Sequence, residues 1–237
     1  TKLAGCWRSR MSPAMRRRLV SNCEAHPMII AIDGPAASGK GTLARRLAAL
    51  FDLDLLETGL LYRATGLAAL KGGITLTDAA AIVALARNLD PATLADPALR
   101  SEQVAAAASA VAALKPVREA LLDFQRRFAH APPSGRGAVL DGRDMGTVVC
   151  PDAPYKLFLT ARPEVRTERR IKELRDRGIP AIESAVQQDI TDRDRRDSER
   201  VVAPLVPATD AHLIDTSDLD ADAVLAAALA YIASRDR

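Results

Sequence analysis

An unbroken apolar run that leads into a glycine-rich turn, residues 29–42, constrains the fold of this chain more than any other segment. Such a run is typical of a strand buried on both faces of a parallel sheet. The leucines that follow the turn, beginning at Leu43, have helical spacing. A strand, a glycine loop and a helix in this order form the context in which a phosphate-binding loop is expected.

The turn itself has the residue types that a nucleotide phosphate site needs. Gly34 and Gly39 let the backbone curl so that several N–H groups surround one concavity, with a helix N-terminus behind them. Lys40 adds a charge that can reach the outer phosphates of a nucleotide. The turn therefore predicts a nucleoside triphosphate site, here called the phosphate loop. Its residues are Gly34, Pro35, Ala36, Ala37, Ser38, Gly39, Lys40, Gly41 and Thr42.

One position departs from the general phosphate-loop pattern. Gly41 directly follows the lysine, where Ser or Thr is usual, and Thr42 comes one residue later. Because Mg²⁺ usually keeps several of its waters, we expect Thr42 and the distant carboxylate of Asp141 to hold it partly through water.

Length and composition favour helices packed on a sheet. The chain has 237 residues, of which 48% are apolar and only 3% aromatic, with Ala and Leu abundant. This allows one large α/β domain, or a core domain with a small insert. No window has the roughly 18 uncharged apolar residues that a membrane span needs, so we expect no membrane-embedded segment.

Basic residues are concentrated in residues 1–27, which contain six Lys or Arg and one acidic residue. The net charge of +3 is therefore no argument for nucleic-acid binding. We interpret the segment as an upstream extension with little function, although it also resembles a transit peptide or a basic arm. The three cysteines, Cys6, Cys23 and Cys150, have no metal-ligand spacing, which favours a reduced, cytoplasmic location.

Strand-like and helix-like segments alternate along the chain. Short apolar runs predict strands at 29–33, 53–57, 138–141, 155–160 and 213–215, and residues 90–100 read as a loop. The residues between the strands are mainly helical, with a break at 178–180 between two charged helices. Alternation of this kind predicts a parallel sheet of about five strands with helices on both faces.

Polar residues follow three of the predicted strands, at Asp33, Thr58 and Asp141. Ligands of open parallel sheets bind beyond the carboxyl ends of the strands, so we expect these residues to surround the site. Asp141 takes the position in which phosphate-loop enzymes keep the acid that holds the Mg²⁺ shell. The alternative is a turn-forming Asp-Gly with a surface Arg-Asp pair.

Arginines form a second group of candidate residues. Arg63, Arg118 and Arg143 lie singly near the expected cleft. Arg193, Asp197 and Arg200 have the spacing of one helix face. That spacing leaves open whether the face meets phosphates or only solvent.

No histidine, serine or cysteine is placed as a catalytic base or nucleophile. Phosphoryl transfer needs mainly alignment and neutralisation of charge. An acceptor that is itself a phosphate already carries an anionic oxygen. Many arginines without a base therefore suit a phosphate acceptor better than a sugar hydroxyl.

Several strings together identify a family resemblance. They are Gly39-Lys40-Gly41-Thr42, Glu57-Thr58-Gly59 with Tyr62-Arg63, Val117-Arg118-Glu119-Ala120-Leu121, Asp141-Gly142-Arg143-Asp144-Met145-Gly146-Thr147-Val148-Val149, and Arg193, Asp197 and Arg200 leading into Ala203-Pro204-Leu205-Val206-Pro207. Over residues 28–234 the chain resembles the bacterial cytidylate kinases, which are P-loop nucleoside monophosphate kinases.

The resemblance implies transfer of the γ-phosphoryl group of ATP to CMP or dCMP, with Mg²⁺. It implies that Arg63 and Arg143 hold the CMP phosphate and that Ser109, Arg118 and Asp144 read the cytosine. Thr58 and Asp141 belong to the same substrate site. Arg193, Asp197 and Arg200 would close on the ribose and phosphates, and the residues expected to act in transfer are Lys40, Arg143, Arg193 and Arg200.

The resemblance also suggests how the chain is divided. We expect one kinase domain at 28–237, with its core at 28–71 and 114–237, a small and mostly helical NMP-binding insert at about 72–113, and a lid at about 166–200. The partners expected are small nucleotides, with no nucleic acid and no membrane, and the chain is expected to be a monomer. Thr58 stands where the family usually has Ser. Ala37 replaces a common loop glycine, so we expect its φ to be negative.

Two other functions remain open on the sequence. One is a different small-molecule P-loop kinase, acting on UMP, AMP or a hydroxyl acceptor. The other is a nucleotide-dependent switch that uses the basic extension as its contact surface. A switch needs a water-positioning residue and a mobile effector loop, and the sequence offers no clear candidate for either.

Overall fold

The computed structural model describes residues 27–235, and its centre is a five-stranded parallel sheet. The strand order is β2-β3-β1-β4-β5. The strands are β1 (Met28–Asp33), β2 (Asp54–Glu57), β3 (Gly137–Asp141), β4 (Tyr155–Thr160) and β5 (His212–Asp215). The predicted sheet is confirmed, with each strand within one or two residues of its expected position.

Eight α-helices connect or flank these strands within the described residues. They are α1 (Lys40–Phe51), α2 (Gly59–Lys71), α3 (Ala79–Arg87), α4 (Glu102–Ala112), α5 (Lys115–His130), α6 (Pro163–Asp176), α7 (Glu183–Glu199) and α8 (Ala221–Arg235). A short π-helical turn, Met145–Val149, follows β3.

The strand register brings three strand ends together at one edge of the sheet. Asp141, the last residue of β3, is paired with Ile32 of β1 on one side and with Glu57 of β2 on the other. Because all strands are parallel, the residues that follow β1, β2 and β3 emerge at this same edge. The predicted position of the site beyond the carboxyl ends of the strands follows from this register.

The central strand is buried on both faces. Ile29 and Ala31 pack into a cluster formed with α2, α4 and α5. Ile30 and Ile32 pack into a second cluster on the other face, formed with α1 and α8. Successive side chains of a strand point to opposite faces, so an unbroken apolar run fills both cores.

Residues 72–113 are mostly helical, as expected, and contain α3 and α4. The prediction of a plain loop at 90–100 is wrong, because this stretch forms two 3₁₀ turns, Pro91–Ala95 and Pro97–Arg100. In each turn an aspartate directly before the proline caps the backbone: Asp90 accepts from Ala92 N and Asp96 from Ala98 N. Asp-Pro thus acts twice as a helix start.

The alanine-rich character of α4 is explained by its packing on α2. A Cβ placed on Gly66 of α2 would lie only 3.1 Å from the Cβ of Ala107. Small residues on both helices let their backbones approach closely, and this contact fixes the position of α4 at the edge of the site.

The charged helices α6 and α7 form a hairpin with a small apolar cluster of its own. Ile171 and Leu174 of α6 pack against Val186 and Ile190 of α7. The turn between them contains Gly178, whose φ of +70° is in the left-handed region. The predicted break between two charged helices is confirmed.

The predicted basic extension lies outside the described residues except for residue 27, and so do Cys6 and Cys23. Within residues 27–235, no helix combines the length and the hydropathy that crossing a bilayer requires. Cys150 is a free, buried thiol, and burial raises its pKa to about 12.

Candidate active site

A cleft of about 890 Å³ opens at the carboxyl edge of β1 and β3. It lies between the phosphate loop, the helices α2 and α4, and the hairpin of α6 and α7. The predicted site residues that line it are Ala36, Ala37, Ser38, Gly39, Lys40, Gly41, Thr42, Thr58, Arg63, Ser109, Arg118, Asp141, Arg143, Asp144, Arg193, Asp197 and Arg200. Sequence reasoning therefore selected residues that the fold brings into one cavity.

Two predicted phosphate-loop residues, Gly34 and Pro35, are not on the cleft wall. Gly34 has a φ of +143°, and a Cβ there would lie 2.0 Å from the carbonyl oxygen of Leu159. Pro35 presents its carbonyl oxygen to the Nζ of Lys40 at 2.7 Å. Both residues therefore support the conformation of the loop on the side away from the cleft.

The expectation that Ala37 keeps a negative φ is wrong. Its φ is +58°, in the left-handed region that costs an L-residue roughly 1–2 kcal/mol. Gly39 follows with a φ of +92°, and α1 begins at Lys40. The tight turn of the loop requires a positive φ at Ala37. Alanine is strained in this conformation, whereas glycine would adopt it without strain.

Lys40 is almost fully buried beside the cleft, with 5% of its surface exposed. Burial, with the positive charge of Arg143 acting in the same direction, lowers its pKa to about 7. Asp141 and Asp33 oppose this shift only partly. The amine of Lys40 therefore loses much of its charge near neutral pH, and a neighbouring anion would restore it.

Asp33 ties the phosphate loop to the turn that follows β3. Its two carboxylate oxygens accept hydrogen bonds from the backbone N–H groups of Met145 and Gly146, each at 2.8 Å. Burial raises its pKa to about 6 although both hydrogen bonds oppose the shift. Because Arg143 and Asp144 directly precede this turn, Asp33 fixes them relative to the loop.

Asp141 and Thr58 meet at the start of α2. The Oγ1 of Thr58 donates to the carbonyl oxygen of Asp141 at 2.8 Å, so the hydroxyl that replaces a family serine is engaged by backbone. A Cβ on Gly41 would lie 3.3 Å from the Oδ2 of Asp141 and 3.3 Å from Arg45. Glycine after the lysine therefore leaves space beside this carboxylate.

Metal-ligating side chains are sparse in the described part of the chain. Residues 27–235 contain no group of three His, Cys, Asp or Glu side chains that could form a metal centre. Asp141 and the hydroxyl of Thr42 do share the cleft wall. One carboxylate, one hydroxyl and the space beside Gly41 fit Mg²⁺, which keeps several waters and takes further oxygens from phosphates.

A buried ion pair lies at the end of the cleft near α5. The Nη2 of Arg118 is 2.5 Å from the Oδ2 of Asp144, and both side chains are less than one tenth exposed. Arg200 approaches the other carboxylate oxygen of Asp144 at 3.8 Å and donates from Nε to the carbonyl oxygen of Ala203. Ser109 lines the same cleft from α4.

Arg143 and Asp197 link the end of β3 to α7. The Nε of Arg143 donates to the Oδ2 of Asp197 at 2.9 Å. Burial acts to raise the pKa of Asp197, but Arg143 and Arg193 together hold it below its usual value. This pair joins the hairpin to the residues that follow β3.

Arg193 has no hydrogen bond or ion pair with any of residues 27–235. Burial, reinforced by Arg143, lowers its pKa to about 10. The prediction that Arg193, Asp197 and Arg200 share one helix face needs a correction, because α7 ends at Glu199 and Arg200 has extended backbone. Arg200 lies beyond the end of the helix and lines the cleft there. Arg193 is a cation without a direct ion-pair partner among residues 27–235, so it can pair with an anion in the cleft.

Arg63 is held by backbone. Its Nη1 donates to the carbonyl oxygen of Leu99 at 2.6 Å. Burial lowers the pKa of Arg63, and the nearby charge of Arg170 adds to this effect. Two arginines this close in a cleft favour an anion between them.

Sequence reasoning missed several cleft residues on α6 and after β5. Arg169 donates to the hydroxyl and carbonyl oxygens of Thr216, and Thr216 donates to the carbonyl oxygen of Ser38 in the phosphate loop. Arg170 pairs with Glu102 at 2.6 Å. The polar residues directly after β5 could have been found by the strand-end rule that selected Asp33 and Asp141.

Arg166 was also missed, and it connects the phosphate loop with α7. Its Nη1 lies 2.6 Å from the Oδ2 of Asp194 and 3.4 Å from the carbonyl oxygen of Ala36. Both residues lie in strongly charged helices, and neither belongs to a motif or a distinctive spacing. The sequence therefore does not identify this pair.

The strand order, the glycine loop at the end of β1 and the arginine-lined cleft define a P-loop kinase fold. Residues 30–234 match the model of the cytidylate kinase family. The chain belongs to that family.

Curated relatives agree with this assignment. The chain is 59% identical over 207 residues to a cytidylate kinase of Paramagnetospirillum magneticum, covering 87% of this chain and 98% of the relative. It is 56% identical over 211 residues to a cytidylate kinase of Rhodospirillum rubrum, covering 89% of this chain and 99% of the relative.

A solved structure supports the fold alone. An uncharacterized protein from Eubacterium ventriosum superposes with a TM-score of 0.52 at 16% identity, covering 87% of this chain and 99% of that one. At this identity the likeness concerns architecture and carries no information on substrate.

Proposed function

We propose that this chain transfers the γ-phosphoryl group of ATP to CMP or dCMP, producing ADP and CDP or dCDP. The observation that carries the proposal is one cleft with two different ends, in a chain of the cytidylate kinase family. One end is the phosphate loop with Lys40. The other is the buried pair of Arg118 and Asp144.

The donor end suits a triphosphate. Backbone N–H groups of the phosphate loop and the N-terminus of α1 favour phosphate oxygens, and Lys40 lies beside them. We assign the nucleoside of ATP to the side of the cleft lined by Arg169, Thr216 and Leu219, because they border the phosphate loop opposite α4.

The acceptor end suits a cytidine monophosphate. Arg63 and Arg143 supply charge for its phosphate, and Ser109, Arg118 and Asp144 supply hydrogen-bonding groups for its base. An aspartate accepts from the cytosine amine and an arginine donates to ring acceptors, so the pair is complementary to cytosine. Uracil has a carbonyl oxygen in place of the amine and a ring N–H in place of the ring acceptor, so it fits neither residue.

The chemistry requires no general base on the protein. A phosphate oxygen of the acceptor attacks the γ-phosphorus, and ADP leaves. The charge that spreads over the transferring group is stabilised by Lys40, Arg143, Arg193 and Arg200. Arg193, which no carboxylate pairs directly, is the cation best placed to take up this role.

Asp141 and Thr42 would hold Mg²⁺ together with waters and nucleotide phosphates. Bound there, Mg²⁺ would neutralise part of the charge on the phosphates of ATP. The protein contributes an oxygen-donor wall and the space that Gly41 leaves beside Asp141.

We further propose that residues 166–200 act as a lid and residues 72–113 as the acceptor-binding insert. The lid assignment is supported by the separate apolar cluster between α6 and α7 and by the glycine at their turn. Closure over two nucleotides would exclude water from the transferring group.

Every cleft residue named here belongs to one chain, so a monomer suffices to form the site. Its substrates are free nucleotides of the cytoplasm, where we place the protein.

The test is a panel of monophosphates incubated with ATP and Mg²⁺, scored by release of ADP and by identification of the diphosphate formed. CMP and dCMP are expected to be the best acceptors. Equal or better turnover of AMP, or of a hydroxyl acceptor such as shikimate, would replace the proposal with another small-molecule kinase. ATP hydrolysis without any phosphorylated acceptor would favour a nucleotide-dependent switch.

A further inference from the structure

Tyr62, in α2, is a buried aromatic residue on the cleft wall with no part in the reaction described above. It is 8% exposed, and its side chain lines the cleft. The guanidinium carbon of Arg118 lies 5.4 Å from the centroid of its ring. At this distance the negative face of a phenol ring attracts a cation.

The other contacts of Arg118 hold its edge and leave its face to the ring. Its Nη2 pairs with Asp144 at 2.5 Å, and its Nη1 donates to the carbonyl oxygen of Ala112 at 3.4 Å. Its Nε is buried and has no hydrogen-bond partner in the described residues. The bond to Ala112 is long, so Asp144 alone holds the guanidinium closely and the ring face helps to set its plane.

The ring itself is held by α5. Gln125 is 2% exposed and lies seven residues after Arg118, which places both side chains on the same face of α5. Burial raises the pKa of Tyr62, and the charge of Arg118 opposes this shift only partly. The phenol is therefore neutral at physiological pH.

We infer that Tyr62 is a positioning residue that determines base specificity by fixing the plane of the Arg118 guanidinium against the acceptor base. The inference deepens the proposed function and rests on it. Arg118 has only donors, so it favours the ring acceptors of cytosine and opposes the ring N–H of uracil. An arginine free to tilt would lose this distinction, since it could donate to uracil oxygens instead.

The test separates the contribution of the ring face to base preference from the contributions of the hydroxyl and of packing. Tyr62→Phe keeps the ring and removes the hydroxyl. Replacement of Tyr62 by pentafluorophenylalanine keeps nearly the same shape but removes the negative ring face. Both variants fill the core, so the comparison does not depend on a cavity mutant that could fail to fold. The readout is the ratio of kcat/KM for CMP to that for UMP, with the KM for ATP as a second measurement.

The ratio is expected to stay within about twofold of wild type in Tyr62→Phe and to fall by about fivefold or more in the fluorinated variant. The KM for ATP is expected to be unchanged in both. In an Arg118→Met background the two ring variants should give the same ratio, because Tyr62 acts through Arg118. Equal ratios for the two ring variants with Arg118 present would overturn the inference.

The wild-type ratio keeps this test apart from that of the proposed function. If wild type does not prefer CMP to UMP, the proposed function fails before any variant is considered. If wild type prefers CMP and both ring variants retain that preference, only the role of Tyr62 is refuted. A loss of preference in Tyr62→Phe as large as in the fluorinated variant would assign the effect to the hydroxyl and also refute it.

Discussion

The Nη2 of Arg118 lies 2.5 Å from the Oδ2 of Asp144 on the cleft wall, and both side chains are buried. A buried charge pair of this kind costs desolvation that its own attraction only partly offsets. In the proposed function, the pair places a donor and an acceptor side by side for the acceptor base. Several residues around it can be tested directly.

Lys40→Ala is expected to lower phosphoryl transfer by roughly 10²–10³-fold, because it removes a charge aimed at the outer phosphates. The fold should be retained. Burial disfavours the charged form of Lys40, so its removal from the empty protein relieves a desolvation cost. Steady-state kinetics and thermal unfolding of the nucleotide-free variant check the two parts. Near-normal turnover in a folded variant would refute the phosphate-loop assignment.

Binding of ATP at about pH 8 is expected to take up nearly one proton. The pKa of Lys40 is about 7 in the empty cleft, so at this pH the free amine is mostly neutral. Phosphate oxygens raise that pKa, and the amine becomes protonated in the complex. At about pH 6 Lys40 is already charged in both states and takes up no proton.

Calorimetric titration with an unreactive ATP analogue, in buffers of different ionisation enthalpy, measures this uptake. Lys40→Arg is the matched control, since a guanidinium stays charged throughout and should show no uptake. Identical proton counts for wild type and Lys40→Arg would contradict the assigned titration of Lys40.

Ala37→Gly is expected to raise the free energy of unfolding by up to about 1.5 kcal/mol. Glycine removes left-handed strain of roughly 1–2 kcal/mol. It also makes the unfolded chain more flexible, which lowers the free energy of unfolding by about 0.4–1 kcal/mol. Ala36→Gly is the neighbouring control, because Ala36 has no positive φ and gains only the entropy cost. Urea unfolding of both variants gives the comparison, and destabilisation of equal size in the two would show that Ala37 carries no strain.

Amide hydrogen exchange in α7 and in the turn at Gly178 is expected to slow when an ATP analogue and CMP bind together. The reason is that Arg193 and Arg200 would gain phosphate partners and hold the hairpin closed. Exchange in β1 and β3, which are buried on both sides, serves as the internal reference. A hairpin whose exchange is the same with and without both ligands would be a rigid element and not a lid.

The sequence predicted the parts of this molecule that depend on local pattern. The apolar run before Gly34 specified the central strand, and the strand-end rule brought Asp33, Thr58 and Asp141 to one edge of the sheet. The arginines of the cleft were selected partly by spacing and partly by family resemblance. Local pattern thus selected residues that line one cleft.

Features set by tertiary contacts were not predicted. The positive φ of Ala37 is set by the tight turn between Gly34 and the start of α1, and the pair of Arg166 with Asp194 joins residues that are far apart in the sequence. Arg200 was assigned to a helix that ends one residue earlier, because its contacts with Asp144 and Ala203 outweigh helical propensity. Burial and long-range contacts determine these details, and neither produces a periodic pattern in the sequence.

The central claim is that the cleft is built for cytosine, and the ratio of kcat/KM for CMP to that for UMP, measured at neutral pH, tests it most directly. Each buried polar group left unpaired by the wrong base costs about 1–3 kcal/mol, so the account predicts that CMP and dCMP exceed UMP by at least about tenfold, with AMP worse still. Arg118→Met should reduce this preference to near unity while leaving the KM for ATP unchanged. Equal kcat/KM values for CMP and UMP, or for CMP and AMP, in the wild-type protein would contradict the account.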